Sequence, residues 1–239
     1  MTTALITGAS RGLGRALATD MAARGWNLVL DARGDFDLQA AADQIRASSP
    51  AVEIRAIPGD VAVASHRADL MTAVRDLGGL DLLVNNASVL GPSPQPALRA
   101  YPLDVLAEVY RVNVLGPLGL IQGALPLVVS SGGTIVNVTS DAAVEPYDGW
   151  GGYGSSKAAL EQVSKVLAAE EPAIRVYSFD PGDMRTQMHQ EAFPGEDISD
   201  RPWPETVLPA LRRLLDERPP SGRYRAADLS AAGFGPVGA

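Results

Sequence analysis

A chain of 239 residues with a formal net charge of −8 can bury a large core in one domain, and it carries no basic run of the kind that binds nucleic acid or anionic membranes. The absence of cysteine excludes disulfides, thiolate nucleophiles and cysteine-ligated zinc, and His66 and His189 lie too far apart in sequence to suggest a metal site. The expectation is a single domain over 1–239 that is cytoplasmic and metal-free, without signal peptide or membrane span.

Apolar runs of strand type alternate with helical patterns from the start: strand Ala4–Thr7, helix Gly12–Arg24, strand Leu28–Leu30, helix Phe36–Ala47, strand Val52–Ile57, helix Ala64–Leu77 and strand Leu80–Val84. A long helix over Leu103–Val129 follows, then strand Thr134–Thr139, helix Tyr153–Ala169 and strand Arg175–Phe179. A polar loop, helix Glu205–Leu215 and a strand near Arg223–Arg225 complete the series. The most apolar stretch, Leu115–Val129, is broken by glycines and prolines and reads as a buried helix, not a membrane span. Short apolar strands with helices between them predict an α/β fold, a doubly wound parallel sheet of Rossmann type with helices on both faces.

The first strand runs into Thr7-Gly8-Ala9-Ser10-Arg11-Gly12-Leu13-Gly14 and then a helix. In such sheets ligands gather at the carboxyl ends of strands, where helix N-termini offer unpaired N–H groups and glycines let the backbone approach a pyrophosphate. The spacing T-G-x-x-x-G-x-G differs from the usual G-x-G-x-x-G fingerprint, and a tight strand-to-helix turn is the plainer alternative. Further along, Tyr153 and Lys157 stand one helical turn apart on one face. A unit charge about 4 Å away contributes roughly 4 kcal/mol at an effective dielectric near 20, which corresponds to about three units on a phenol whose ordinary pKa is about 10. Lys157, one of only two lysines, is therefore expected to ease ionisation of Tyr153; Lys165 reads as a surface residue.

Taken together, these motifs resemble those of the short-chain dehydrogenase/reductase family across nearly the whole chain. Asp60-Val61 is similar to the family's adenine-contacting pair, Asn85-Asn86-Ala87 to its N-N-A-G segment, and Pro181-Gly182 with Thr186 to P-G-x-x-x-T. Ser88 stands in place of the last glycine of N-N-A-G, a departure expected to alter the turn without touching the chemistry. The resemblance implies a catalytic set of Asn113, Ser140, Tyr153 and Lys157. Tyr153 would be the acid/base and Ser140 a hydrogen-bond donor to the substrate oxygen. Lys157 would stabilise the phenolate and reach the nicotinamide ribose, and Asn113 would hold a water in a relay through Lys157 or else cap an irregular helix near Gly116-Pro117. Ser155 and Ser156 read as helix positions that could line the pocket. The implied cofactor contacts are Gly8, Ser10, Arg11, Gly12, Leu13, Gly14, Arg33, Asp60, Val61, Asn86, Ala87, Lys157, Pro181, Gly182 and Thr186.

Cofactor choice rests on Asp31-Ala32-Arg33, since a carboxylate after the second strand suits the ribose hydroxyl of NAD and an arginine the 2′-phosphate of NADP. Ala32 falls at the acidic position and Arg33 at the arginine position, with Arg11 nearby, so NADP(H) is favoured; a one-residue shift would bring Asp31 to the ribose and favour NAD(H). Residues 182–204 read as a substrate lid. Trp150, Met184, Met188 and Trp203, with Leu90, Val144, Tyr147 and Phe193, are candidate walls of a mainly apolar pocket or else pack a lid or interface. Acidic Glu191, Glu196, Asp197 and Asp200 disfavour a strongly anionic substrate. The function implied is hydride transfer between NADP(H) and a small carbonyl or secondary alcohol, in a homodimer or homotetramer. The alternatives are a non-catalytic dinucleotide sensor on the same fold, and a sugar-nucleotide epimerase or dehydratase of the related extended group.

Overall fold

The computed structural model describes residues 2–230; Met1 and residues 231–239 lie outside the described residues. Seven strands, β1 (Thr3–Ile6), β2 (Asn27–Ala32), β3 (Ile54–Pro58), β4 (Leu82–Asn85), β5 (Thr134–Val138), β6 (Arg175–Asp180) and β7 (Gly222–Arg225), form one parallel sheet in the order β3-β2-β1-β4-β5-β6-β7. Because strand side chains alternate, each central strand feeds two cores. Ala4 and Ile6 of β1 join Leu28, Leu30, Val84 and Phe179 beneath α1 (Gly12–Ala23) and α2 (Asp35–Ser48). Leu5 joins Val29, Leu83, Ile135 and Val176 on the opposite face, covered from α3 (Ala64–Asp76) by Leu70 and Val74. Each such side chain taken fully out of water contributes about 1.5–3 kcal/mol, and the near-continuous apolar strands reflect burial on both faces.

The long helix expected over Leu103–Val129 is continuous but not uniform. It runs as α4 (Leu103–Tyr110), a π turn (Arg111–Leu115) and α5 (Gly116–Ser131). Pro117 has no N–H to cover the Asn113 carbonyl four residues back, so the ladder is interrupted where the wider turn sits. Leu103–Ser131 is long and apolar enough, by length and composition, to cross a membrane, yet half of its apolar window is buried inside the fold. Leu120, Ile121, Ala124 and Val128 of α5 pack on the sheet.

α6 (Gly151–Glu170) and α7 (Gln187–Ala192) follow in chain order. The helix expected over Glu205–Leu215 begins instead as a 3-10 turn (Pro204–Val207), and α8 (Leu208–Glu217) starts where Pro209 can occupy the first helical turn. A short α9 (Ala226–Ser230), unexpected from the sequence, closes the described chain.

Candidate active site

The strand order reverses between β1 and β4, and the carboxyl ends of these strands flank a cleft of about 1670 Å³. A single small-molecule pocket typically spans roughly 300–1,000 Å³, so this cleft has room for a dinucleotide and a substrate together. Its floor at the switch point is made by backbone. Thr7 Oγ1 accepts the N–H groups of Asn86 and Ala87, both at 3.0 Å, and Asn86 Nδ2 donates to the Thr7 and Gly8 carbonyls at 2.8 and 3.1 Å. Gly8 has a φ of +66°, and a Cβ there would lie 2.8 Å from Asn86 Nδ2; one on Gly14 would lie 2.3 Å from the Gly8 carbonyl oxygen. The two chain segments therefore meet at a distance only glycine permits.

Gly8, Ser10, Arg11, Gly12 and Leu13 line this end of the cleft with Arg33, Asp60, Val61, Asn86 and Ala87, while Gly14 lies behind, packed on Gly8. Asp31 borders the cleft but is 1% exposed. It sits within β2 with its carboxylate 2.6 Å from His66 Nε2 and bonded by the Gly8 N–H; burial raises its pKa against the opposing pull of His66. Ala32 ends β2 and Arg33 is exposed just beyond it, as the register without a loop shift requires. Burial works against ionisation of Asp60, yet the Ala62 N–H and Arg111 together hold its carboxyl below the usual carboxylate range. Arg11 is engaged: its Nη1 donates to Gln187 Oε1 at 2.6 Å.

At the other end of the cleft, α6 is pressed against a 3-10 turn (Asp141–Ala143). Gly154 makes this possible, since a Cβ there would fall 2.4 Å from the Ala142 carbonyl oxygen. The packing sets Tyr153 and Lys157 of α6 beside Ser140, and all three line the cleft. Tyr153 is 7% exposed and Lys157 2%. The ammonium donates to the Val138 carbonyl at 2.8 Å and lies 5.5 Å from the centre of the Tyr153 ring.

The electrostatic expectation for this pair is corrected. Burial pushes the Tyr153 phenol well above the ordinary tyrosine range, opposed by hydrogen bonds from Ser88 and Ser140 and reinforced by the Asp180 and Asp141 carboxylates. Burial also brings Lys157 down to about 8, against the pull of Glu161. Loss of water around a phenolate is the largest influence on this phenol, and it favours the protonated form. Asn113, in the π turn, lies behind the cleft wall with its amide fully used. Nδ2 donates to the Val89 carbonyl at 2.9 Å and to Ser156 Oγ at 3.0 Å, and Oδ1 accepts from Val89 N at 2.9 Å and Ser88 Oγ at 3.2 Å. Its side chain has no group left for the water of a relay through Lys157.

A family model described as short chain dehydrogenase matches residues 2–197. Sepiapterin reductase of Rattus norvegicus is 36% identical over 199 residues, covering 79% of this chain and 76% of the relative. Among solved structures, a short chain dehydrogenase of Salmonella enterica superposes with a TM-score of 0.87 at 29% identity, covering 94% of this chain and 95% of the other. An alcohol dehydrogenase of the archaeon Thermococcus sibiricus, complexed with 5-hydroxy-NADP, gives 0.84 at 28%, covering 94% and 95%. The chain belongs to the short-chain dehydrogenase family.

In this short-chain dehydrogenase residues 182–189, 191–192 and 203–204 line one side of the cleft. Thr186 caps α7 by accepting the His189 N–H at 3.2 Å, and the Arg185 guanidinium lies 4.7 Å above the Trp203 ring. Pro181, Gly182, Met184, Thr186, Met188 and Trp203 line the cleft, as do Leu90 and Trp150; Trp150 stacks edge-on to Tyr153, with ring centres 5.9 Å apart, and tilted against Phe193 at 5.8 Å. Two expectations are corrected. Val144 and Tyr147 are exposed away from the cleft, Ser155 is exposed and Ser156 is buried against Asn113, so none of these lines the pocket.

A buried ionic cluster was not legible in the sequence. Arg223 of β7 donates to Glu161 Oε1 at 3.0 Å, to Asp180 Oδ2 at 2.7 Å and to the Ser140 carbonyl at 3.3 Å, while Thr139 Oγ1 donates to Glu161 Oε1 at 2.7 Å. It ties the last strand to the residues carrying Ser140 and Lys157. The only sequence signal was the i, i+4 spacing of Lys157 and Glu161, which is common on helices that carry no site.

Proposed function

We propose that this short-chain dehydrogenase transfers hydride between NADP(H) and a small, mainly apolar ketone, aldehyde or secondary alcohol, with Tyr153 carrying the proton. The observation that carries this reading is a buried phenol beside Lys157 and Ser140 in the wall of a cleft whose far end is a glycine turn. The dinucleotide, when bound, supplies or accepts the hydride. During reduction the Tyr153 O–H gives its proton to the incipient alkoxide, and Ser140 supports the charge developing on that oxygen. Lys157 holds a positive charge beside the phenol as it becomes phenolate.

The groups that suit the cofactor are the N–H groups and glycines of the turn at Gly8, Ser10, Gly12, Leu13 and Gly14 for pyrophosphate, and Asp60-Val61 with Asn86-Ala87 for the adenosine side. Pro181, Gly182 and Thr186 suit the nicotinamide end, and Lys157 its ribose. Arg33 suits the 2′-phosphate, with Arg11 a weaker partner because it already holds Gln187. The archaeal relative's 5-hydroxy-NADP complex supports the same preference. Residues 182–204 serve as a lid over the substrate, with Trp150, Met184, Met188 and Trp203 as apolar contacts. Asn113 belongs to the catalytic set as the clamp that holds Ser88 and α6 in register. A homodimer or homotetramer in the cytoplasm completes the reading, supported by exposed Leu103, Leu115, Val129 and Val166 on α4, the π turn, α5 and α6.

The test is nicotinamide absorbance on mixing the protein with apolar ketones, aldehydes and sepiapterin, NADPH and NADH being offered separately. Turnover with NADPH preferred is the expected result. NADPH binding without turnover of any carbonyl would return the chain to the sensor alternative.

A further inference from the structure

His66, on the first turn of α3, stands one layer behind the cleft at the end proposed for adenosine. Its Nε2 is 2.6 Å from Asp31 Oδ1, and the two residues are 7% and 1% exposed. On the other side of the ring, a Cβ on Gly59 would fall 2.2 Å from Nδ1, so the imidazole fills the space that a side chain at that position would need. Arg67, next along α3, donates from Nη1 to the Val61 carbonyl at 2.7 Å. The start of α3 thus grips β2 on one side and the segment Gly59–Val61 on the other.

What His66 touches carries the cofactor end. The Asp31 carbonyl accepts the Ala9 N–H at 2.8 Å, which fixes the glycine turn to the end of β2, and the Gly59 N–H donates to the Ala32 carbonyl at 3.0 Å, which fixes the approach to Asp60-Val61. Asp31, Gly59, Asp60 and Val61 all border the cleft. A carboxylate taken out of water is costly unless its oxygens are hydrogen-bonded, and the imidazole fills one of those positions here. Without that partner the carboxyl group must change its protonation or its orientation. The glycine turn and Gly59 are bonded to the same two residues of β2, so the change reaches both.

We propose that His66 is a positioning residue for the adenosine half of the cofactor, acting through Asp31 to hold the end of β2, the glycine turn and Gly59–Val61 in one arrangement. This rests on the dinucleotide-binding part of the function proposed above. Adenosine and pyrophosphate are common to both cofactors, so His66→Leu is expected to raise the Kd of NADPH and of NADH alike, each about tenfold. The number of binding sites per chain should keep its wild-type value, because a mispositioned site binds weakly whereas a misfolded fraction does not bind. His66→Gln, whose side-chain amide can still donate to Asp31, is expected to stay within about threefold of wild type. In an Asp31→Ala background nothing remains for His66 to hold, and His66→Leu should add less than about twofold. Asp31→Ala alone is expected to weaken both cofactors as His66→Leu does, and it carries the test where His66→Leu does not fold.

Fluorescence titration of each variant with NADPH and with NADH decides it. Unchanged Kd values, a loss confined to one dinucleotide, or fewer sites at the wild-type Kd would each overturn the proposal. So would a His66→Leu loss as large in the Asp31→Ala background as in wild type, or a His66→Gln protein as weak as His66→Leu. If the wild-type protein binds both dinucleotides but turns over no carbonyl, hydride transfer falls while the same titrations still judge His66. A wild-type protein that binds neither would overturn both.

Discussion

The two ends of the cleft are built from different materials. At the glycine turn the surface is backbone, fixed by strand pairing, by Asn86 and by contacts that leave no room for a Cβ at Gly8 or Gly14. Around residues 182–204 it is side chain, much of it exposed, with Trp203 57% exposed and held by Arg185. Recognition of a phosphate chain requires fixed N–H groups. An apolar substrate needs only a surface of fitting shape, which many side chains can provide. Substitutions at the first end should therefore be severe and those at the second mild.

The largest effect is expected from Gly14→Ala. Its Cβ would lie 2.3 Å from the Gly8 carbonyl oxygen, and the forced shift of about 1–3 kcal/mol should weaken NADPH binding by tenfold or more, measured by fluorescence titration. Arg33→Ala should weaken NADP(H) about tenfold while leaving NAD(H) nearly unchanged, because only the former carries the 2′-phosphate. Equal losses for both cofactors would remove Arg33 from the specificity. The pH dependence follows from Lys157, whose pKa of about 8 lies below the ordinary lysine value. The protonated form assists, so carbonyl reduction should fall as pH rises through about 8. A rate flat to pH 10 would show that its charge is not used. The smallest effect is expected from Trp203→Ala, about a twofold rise in KM with little change in kcat.

The same division explains what the sequence could tell. The strand–helix alternation, the glycine turn and the Tyr153–Lys157 spacing are local patterns, and local patterns survive in one dimension. The π turn at Asn113 was half-visible, because Gly116-Pro117 announced an irregular helix but not its pitch. The sign of the Tyr153 shift was not visible at all: sequence spacing brings an ammonium near, but only the fold determines how much water is lost. Arg223, Glu161 and Asp180 come from separate strands and a helix, and no pattern along the chain links them. Ser88 could have been noticed as a hydroxyl in place of glycine, but its bond to Asn113 depends on how the segment after β4 meets the π turn.

The most direct measurement loads wild-type and Tyr153→Phe protein with NADPH, verifies binding by fluorescence, and follows NADPH absorbance through one turnover on mixing with the same ketone. A positioned proton donor contributes roughly 10²–10⁴-fold. Tyr153→Phe should therefore bind NADPH as wild type does and lose about three orders of magnitude in the rate of its consumption. Consumption at the wild-type rate in Tyr153→Phe would contradict the assignment of Tyr153 as the acid.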